Sequence, residues 1–147
     1  MRLALDPGKM TGVAWRTEDG ELRGLQWAGD SIWVVLVGFH ATEGITDLVV
    51  EDFISRPGPA VNLSAPKTIG LIQAWADTEG VDLQMQTPSA AKMRVTNDRL
   101  RAAGGWMRSQ PHARDAMRHL LLREDRAGEI DLEIWPKKKS EKSEKTA

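Results

Sequence analysis

Residues 3–15, LALDPGKMTGVAW, decide how this 147-residue chain is read. Leu3-Ala4-Leu5 is a short apolar run stopped by Asp6-Pro7-Gly8, which predicts a strand followed by a turn. Thr11–Trp15 and Leu22–Trp27 predict two more strands. Glu18-Asp19-Gly20-Glu21 joins them as a hairpin, because Asp-Gly favours the backbone of a tight turn.

Outward from this meander, Asp30 or Ser31 is placed to cap a helix running to about Thr42. Leu48-Val49-Val50 has no polar alternation, the pattern of a strand covered on both faces, and it ends in Glu51-Asp52. Ser55 to Pro66 contains three prolines and reads as a loop. A helix is expected from about Lys67 to Thr78, stopped by Gly80, and a strand from Val81 to Gln86, ended by Pro88. Ser89 is placed to cap one helical turn and Asn97–Ala103 predicts another, before Gly104-Gly105 breaks the chain. From Pro111 to about Glu124, Ala113, Ala116, Met117, Leu120 and Leu121 recur at helical spacing. The order βββ-α-β-α-β-α implies an α/β fold: an antiparallel three-strand meander plus two parallel strands, flanked by helices. Residues 1–135 are expected to form one domain, and the Lys-, Glu- and Ser-rich tail 136–147 to be disordered.

Composition narrows the function. With 41% hydrophobic residues the chain can bury a core without staples, and it has no cysteine. Disulfides, thiolate zinc sites, iron–sulfur clusters and cysteine nucleophiles are therefore excluded. No apolar run approaches ~20 residues, and Asp6 interrupts any signal-peptide core, so a cytoplasmic protein without a membrane partner is expected. Net charge is only −1, but it is unevenly spread. Residues 1–52 carry 4 basic and 9 acidic side chains, and residues 53–123 carry 10 basic and 5 acidic. Residues 124–135 are acidic and the tail is basic. A basic middle between acidic segments predicts a local anion-binding face, although a mixed solvated surface has the same composition.

Three places put acids where chemistry can occur. Asp6 and Glu51-Asp52 end two apolar strands, and ligands of open α/β sheets gather beyond the carboxyl ends of parallel strands. His112 and Asp115 are three apart and share one helix face. Hard divalent cations take oxygen ligands, often with an imidazole, and serve phosphoryl chemistry. Each residue also has an ordinary role: a turn acid, a strand end, a helix cap, and a first-turn acid favoured by the helix dipole.

Together these segments resemble the RuvC-like Holliday junction resolvases of the RNase H-like superfamily, and specifically a phage-encoded branch. LALDPGKMTGVAW resembles that family's first strand and hairpin, LVVEDF its second acidic strand, and HARDAMRHLLL its terminal helix. Thr68-Ile69-Gly70 and Pro88-Ser89-Ala90-Ala91-Lys92 fall at the expected places between them, so the resemblance covers residues 2–123. It implies an RNase H-like mixed sheet and a nuclease cutting four-way junctions or other branched DNA. It implies that Asp6, Glu51, His112 and Asp115 hold two Mg²⁺ ions, for which Mn²⁺ can substitute. Lys92 matches a lysine that contacts the DNA backbone, Phe53 lies one residue from a junction-probing aromatic, and Arg94, Arg99 or Arg101 stands in for a second basic contact. It also implies a homodimer, with Gly70 and Ala74 of the helix at 67–78 permitting close approach of a partner helix. Two other readings share the fold: a nuclease of another substrate, such as the pre-ribosomal-RNA processing relatives, and a non-catalytic nucleic-acid-binding or assembly protein. An actin-like phosphotransferase also begins with Asp-x-Gly, but this chain is too short for its second lobe.

Overall fold

The computed structural model describes residues 1–54 and 62–135. Strands β1 (Arg2–Asp6), β2 (Met10–Arg16) and β3 (Leu22–Ala28) form the antiparallel meander. Strands β4 (Asp47–Glu51) and β5 (Asp82–Gln86) extend it in parallel beyond β1, giving the order β3-β2-β1-β4-β5. The helices are α1 (Ile32–Thr42), α2 (Ser64–Glu79), α3 (Pro88–Arg94), α4 (Asn97–Ala102) and α5 (Pro111–Arg126). The expected mixed sheet flanked by helices is the observed one.

The period of two in a strand sorts its side chains to opposite faces. Leu3, Leu5, Val13, Leu48 and Val50 are fully buried with Ile32 and Leu36 of α1 and Ile69 and Ile72 of α2. Ala4, Ala14 and Val49 point the other way, into a core closed by Ala91 of α3, Leu100 of α4 and Ala116, Met117 and Leu120 of α5. Asp6 and Glu51 follow Ala4 and Val49 by two residues and therefore share the α5 face.

Several boundaries differ from the sequence reading. α2 starts at Ser64, ahead of the expected Lys67, with Pro66 in its first turn. Proline costs nothing there, because first-turn N–H groups have no intrahelical acceptor, and Asn62 Oδ1 accepts from the Ser64 N–H at 2.9 Å. The rest of the expected loop, 55–61, lies outside the described residues, as does the tail 136–147. The cap of α3 is Thr87, whose Oγ1 accepts from the Ala90 N–H at 3.3 Å, rather than Ser89. Thr96 caps α4 in the same way. Ser31, one of the two expected caps, holds the N-cap position of α1 after a 3₁₀ turn, Gly29–Ser31, but its side chain makes no capping bond: Ser31 Oγ instead accepts from Trp27 Nε1 at 3.1 Å.

The acidic segment 124–135 acts as a clasp. Glu124 takes both ends of the Arg16 guanidinium at 2.6 and 3.0 Å. Asp125 takes Arg94 at 2.8 and 3.3 Å, and Glu129 takes Arg2 at 2.8 and 3.1 Å. Such forked pairs fix direction as well as charge. They tie the end of α5 to β1, β2 and α3.

Candidate active site

The site begins with a close approach. Gly12 pairs with Asp6 across the β1–β2 ladder. A Cβ on Gly12 would lie 1.8 Å from the His112 carbonyl oxygen, so only glycine lets the first turn of α5 rest on β2. Gln26 on β3 adds a tether, its Oε1 accepting from the His112 N–H at 3.0 Å. His112 Nδ1 then meets Asp6 Oδ2 at 3.0 Å. The Asp6 side chain is only 9% exposed, whereas the His112 ring is 47% exposed.

The two other acids are each held by a second residue of α5. Glu51 Oε2 meets Nε2 of His119 at 2.7 Å, and His119 Nδ1 meets Gln86 Oε1 at 2.8 Å. His119 is 1% exposed, so this three-residue bridge lies beneath the site and joins the ends of β4 and β5 to α5. Asp115 Oδ1 accepts from Arg118 at 3.2 Å, and Arg118 also donates to the Val95 carbonyl at 3.1 Å and to Asn97 Oδ1. Sequence reading offers His119 only as the imidazole that would matter if His112 merely capped the helix, and it does not assign Gln86 or Arg118 to the site. The signal was present for His119, which follows His112 by seven residues and so returns to the same helix face.

Burial, and then the negative charge of Glu51, push the Asp6 carboxyl up to about 7; Asp115 adds to the push and the His112 hydrogen bond opposes it. Asp6 therefore senses all the expected site residues at once. Among the described residues, however, no three of these groups are gathered as a ready coordination shell. Asp6, Glu51 and Asp115 instead sit in separate pairs, with His112, His119 and Arg118. The donor set still fits a divalent cation. Each carboxylate has one oxygen with no hydrogen-bond partner among the described residues. The ligands are hard oxygens plus an imidazole, and the mutual repulsion recorded by Asp6 is what a cation relieves.

The remaining candidates separate. Lys92 is exposed on α3 and lines a cleft of about 290 Å³ with Thr96, Asn97 and Arg118. Phe53 is half-buried just past β4 and lines a cleft of about 250 Å³ with Pro7, Glu51 and Pro88. Arg94 and Arg99, two of the candidate DNA contacts, have partners within the protein. Arg94 is bound by Asp125 and Glu133, while Arg99 donates to the Arg94 carbonyl at 2.9 Å and lies 3.8 Å from Glu133. Both brace α3 and α4 against the acidic segment. Arg101 is exposed and engaged only loosely, 3.5 Å from Asp98.

No family model matches this sequence, and no curated protein matches it. Solved structures do. The structure described as T. thermophilus RuvC in complex with Holliday junction substrate aligns with a TM-score of 0.66 at 15% identity, over 86% of this chain and 95% of that one. The Thermus thermophilus RuvC structure aligns at 0.63 and 16% identity, over 86% and 96%. The chain has the RuvC fold. Within it, Asp6 and Glu51 end adjacent parallel strands, and His112 and Asp115 stand above them on the last helix. Among the described residues no helix is long and apolar enough to cross a membrane.

Proposed function

We propose that this chain is a metal-dependent, structure-selective endonuclease that hydrolyses phosphodiester bonds in Holliday junctions and other branched DNA. One observation carries the reading. A buried carboxyl at the end of the central strand feels Glu51, His112 and Asp115 together, in a fold shared with a RuvC solved with a Holliday junction substrate.

Asp6, Glu51, His112 and Asp115 are the residues that would hold Mg²⁺ or Mn²⁺. Bound there, divalent ions supply charge neutralisation for an anionic phosphodiester and an activated water. The protein supplies direction. Asp6 is fixed by a rigid strand and by His112, Glu51 by His119 and Gln86, and Asp115 by Arg118. Hydrolysis forms one bond from water oxygen to phosphorus and breaks the bond to the 3′-oxygen, which leaves with a proton. Lys92, which lines a cleft with Thr96 and Asn97, would meet the DNA backbone, and Phe53, which lines a cleft with Glu51, would meet the junction.

A homodimer suits a four-way substrate, which has two symmetric strands to cut. The outer faces of α1 and α2 support it. Trp33, Val34 and Val37 are exposed on α1, and Gly70, Leu71 and Ala74 line a groove beside Met10 and Lys67. A helix apolar on both sides is normally covered on both.

Labelled four-way junction, flap, duplex and RNA substrates, incubated with and without Mg²⁺, test the proposal. Cutting of junction and flap that requires the metal is the expected result. Preferential cutting of RNA, or no metal-dependent cutting of any branched DNA, would overturn it.

A further inference from the structure

The acids of the candidate site are each gripped at one oxygen, and the grips differ in kind. Glu51 Oε2 meets His119 Nε2 at 2.7 Å, and Asp115 Oδ1 accepts from Arg118 at 3.2 Å. Neither His119 nor Arg118 is a candidate ligand, and both are buried. An ionised carboxylate only accepts, so Nε2 of His119 is the donor to Glu51. The other ring nitrogen lies 2.8 Å from the buried Gln86 amide, which can turn either its oxygen or its NH₂ toward it. The ring is therefore held whatever proton Nδ1 carries. Arg118 is anchored as firmly, by the Val95 carbonyl at 3.1 Å and by Asn97 Oδ1. Asp6 is not gripped in this way, because its partner His112 is exposed and is itself a candidate ligand.

Glu51 Oε1 and Asp115 Oδ2 have no hydrogen-bond partner among the described residues, so they are the oxygens left to a cation. One oxygen per acid suits a small ion. Mg²⁺ takes about six close ligands, keeps several waters and needs only one or two carboxylates, and Mn²⁺ accepts the same octahedral oxygen shell. Ca²⁺ takes about six to eight ligands and commonly clasps both oxygens of a carboxylate. To claim the second oxygen here it would have to displace His119 or Arg118. That leaves a buried N–H without its acceptor, a cost the smaller ions do not meet.

We infer that His119 and Arg118 are positioning residues that withhold one oxygen each from Glu51 and Asp115, so that the site discriminates against Ca²⁺. This rests on the metal-dependent nuclease reading and adds to it the side chains that set which cation is held.

Calorimetric titration of the metal-free full-length protein with Mn²⁺ and with Ca²⁺ tests this independently of cleavage. Wild type should bind Mn²⁺ more tightly than Ca²⁺. His119→Leu should lower Mn²⁺ affinity roughly 10- to 100-fold and leave Ca²⁺ affinity unchanged or higher, so the preference narrows. His119→Gln, which keeps a donor for Glu51, should restore most of the preference. A merely structural histidine would weaken both ions in proportion. Arg118→Met should narrow the preference through Asp115, and it carries the test if His119→Leu fails to fold. A wild type that binds both ions equally, or a wild-type preference kept in both variants, would overturn the inference and leave the nuclease reading standing. A wild type that binds neither ion would overturn that reading, and the inference with it.

Discussion

The two faces of one sheet are built from the same five strands and do different work. Toward α1 and α2 the strands present Leu3, Leu5, Val13, Leu48 and Val50, large side chains that hold the helices off by filling space. Toward α5 they present Ala4, Gly12, Ala14 and Gly24. A Cβ on Gly24 would lie 2.6 Å from Met117 Cε, as one on Gly12 would strike the His112 carbonyl. Small residues let α5 settle close to the sheet. Short carboxylates at the ends of β1 and β4 can then reach side chains of the helix. Every site residue named above that contacts Asp6, Glu51 or Asp115 through its side chain lies on this face. The lesson is that the site depends on what the α5 face lacks in volume as much as on the acids it carries.

The sharpest way to break that contrast is to change each face separately. Asp6→Asn, Glu51→Gln and Asp115→Asn should each lower junction cleavage on the order of 10³-fold or more while leaving DNA binding and folding largely intact. Leu48→Ala, on the opposite face, should cost about 2–5 kcal/mol of stability, and the molecules still folded should cleave at the normal rate. Cleavage per folded molecule and denaturant unfolding separate the outcomes. An acid variant with near-normal activity would remove that residue from the site.

A smaller effect sharpens the argument about volume. Gly12→Ala places a methyl where the His112 carbonyl sits, so it should destabilise by about 1–3 kcal/mol and also depress cleavage by shifting α5. Gly38→Ala on α1 meets open space and should be neutral or stabilising by up to about 1 kcal/mol, with cleavage unchanged. Equal effects of the two substitutions on cleavage would show that the approach of α5 is not limiting.

How much of this was legible in the sequence follows from the range of the interactions. The strands were readable because alternation and the Asp-Gly turn are local, and the positions of Asp6 and Glu51 at strand ends and of His112 and Asp115 early in α5 were readable for the same reason. The start of α2 was not, because Pro57, Pro59 and Pro66 look alike in composition, although Pro66 occupies a first turn that tolerates it. The partners of the acids were hidden for a different reason. His119 reaches Glu51 across 68 positions, a pairing that only the packing of α5 on β4 creates. Arg94 and Arg99 looked available because the acidic segment 124–135 had no assigned role. Folded, that segment pairs with Arg94, and Arg94 holds the Asp125 carboxyl below the usual carboxylate range.

The smallest effect is electrostatic. The folded Asp6 carboxyl titrates near 7, above its ordinary 3.8, so between those values the folded chain keeps a proton that the unfolded chain releases. The stability contributed by that proton is present at low pH and is lost as pH rises toward 7. Metal-free wild type should therefore lose stability across this window, and Asp6→Asn should not show that loss. Unfolding curves at a series of pH values read it directly, and parallel pH dependence in the two proteins would contradict the crowding of charge around Asp6.

Everything above turns on whether the acids beneath α5 form one cation site. The thermal unfolding of wild type and Asp6→Asn at pH 8, each with and without Mn²⁺, tests this most directly. Without metal the variant should unfold at the higher temperature, because it carries one fewer repelling charge. Saturating Mn²⁺ should raise the unfolding temperature of wild type and leave the variant nearly unmoved. If both proteins respond to Mn²⁺ alike, Asp6 is not part of the cation site and the account of the α5 face is wrong.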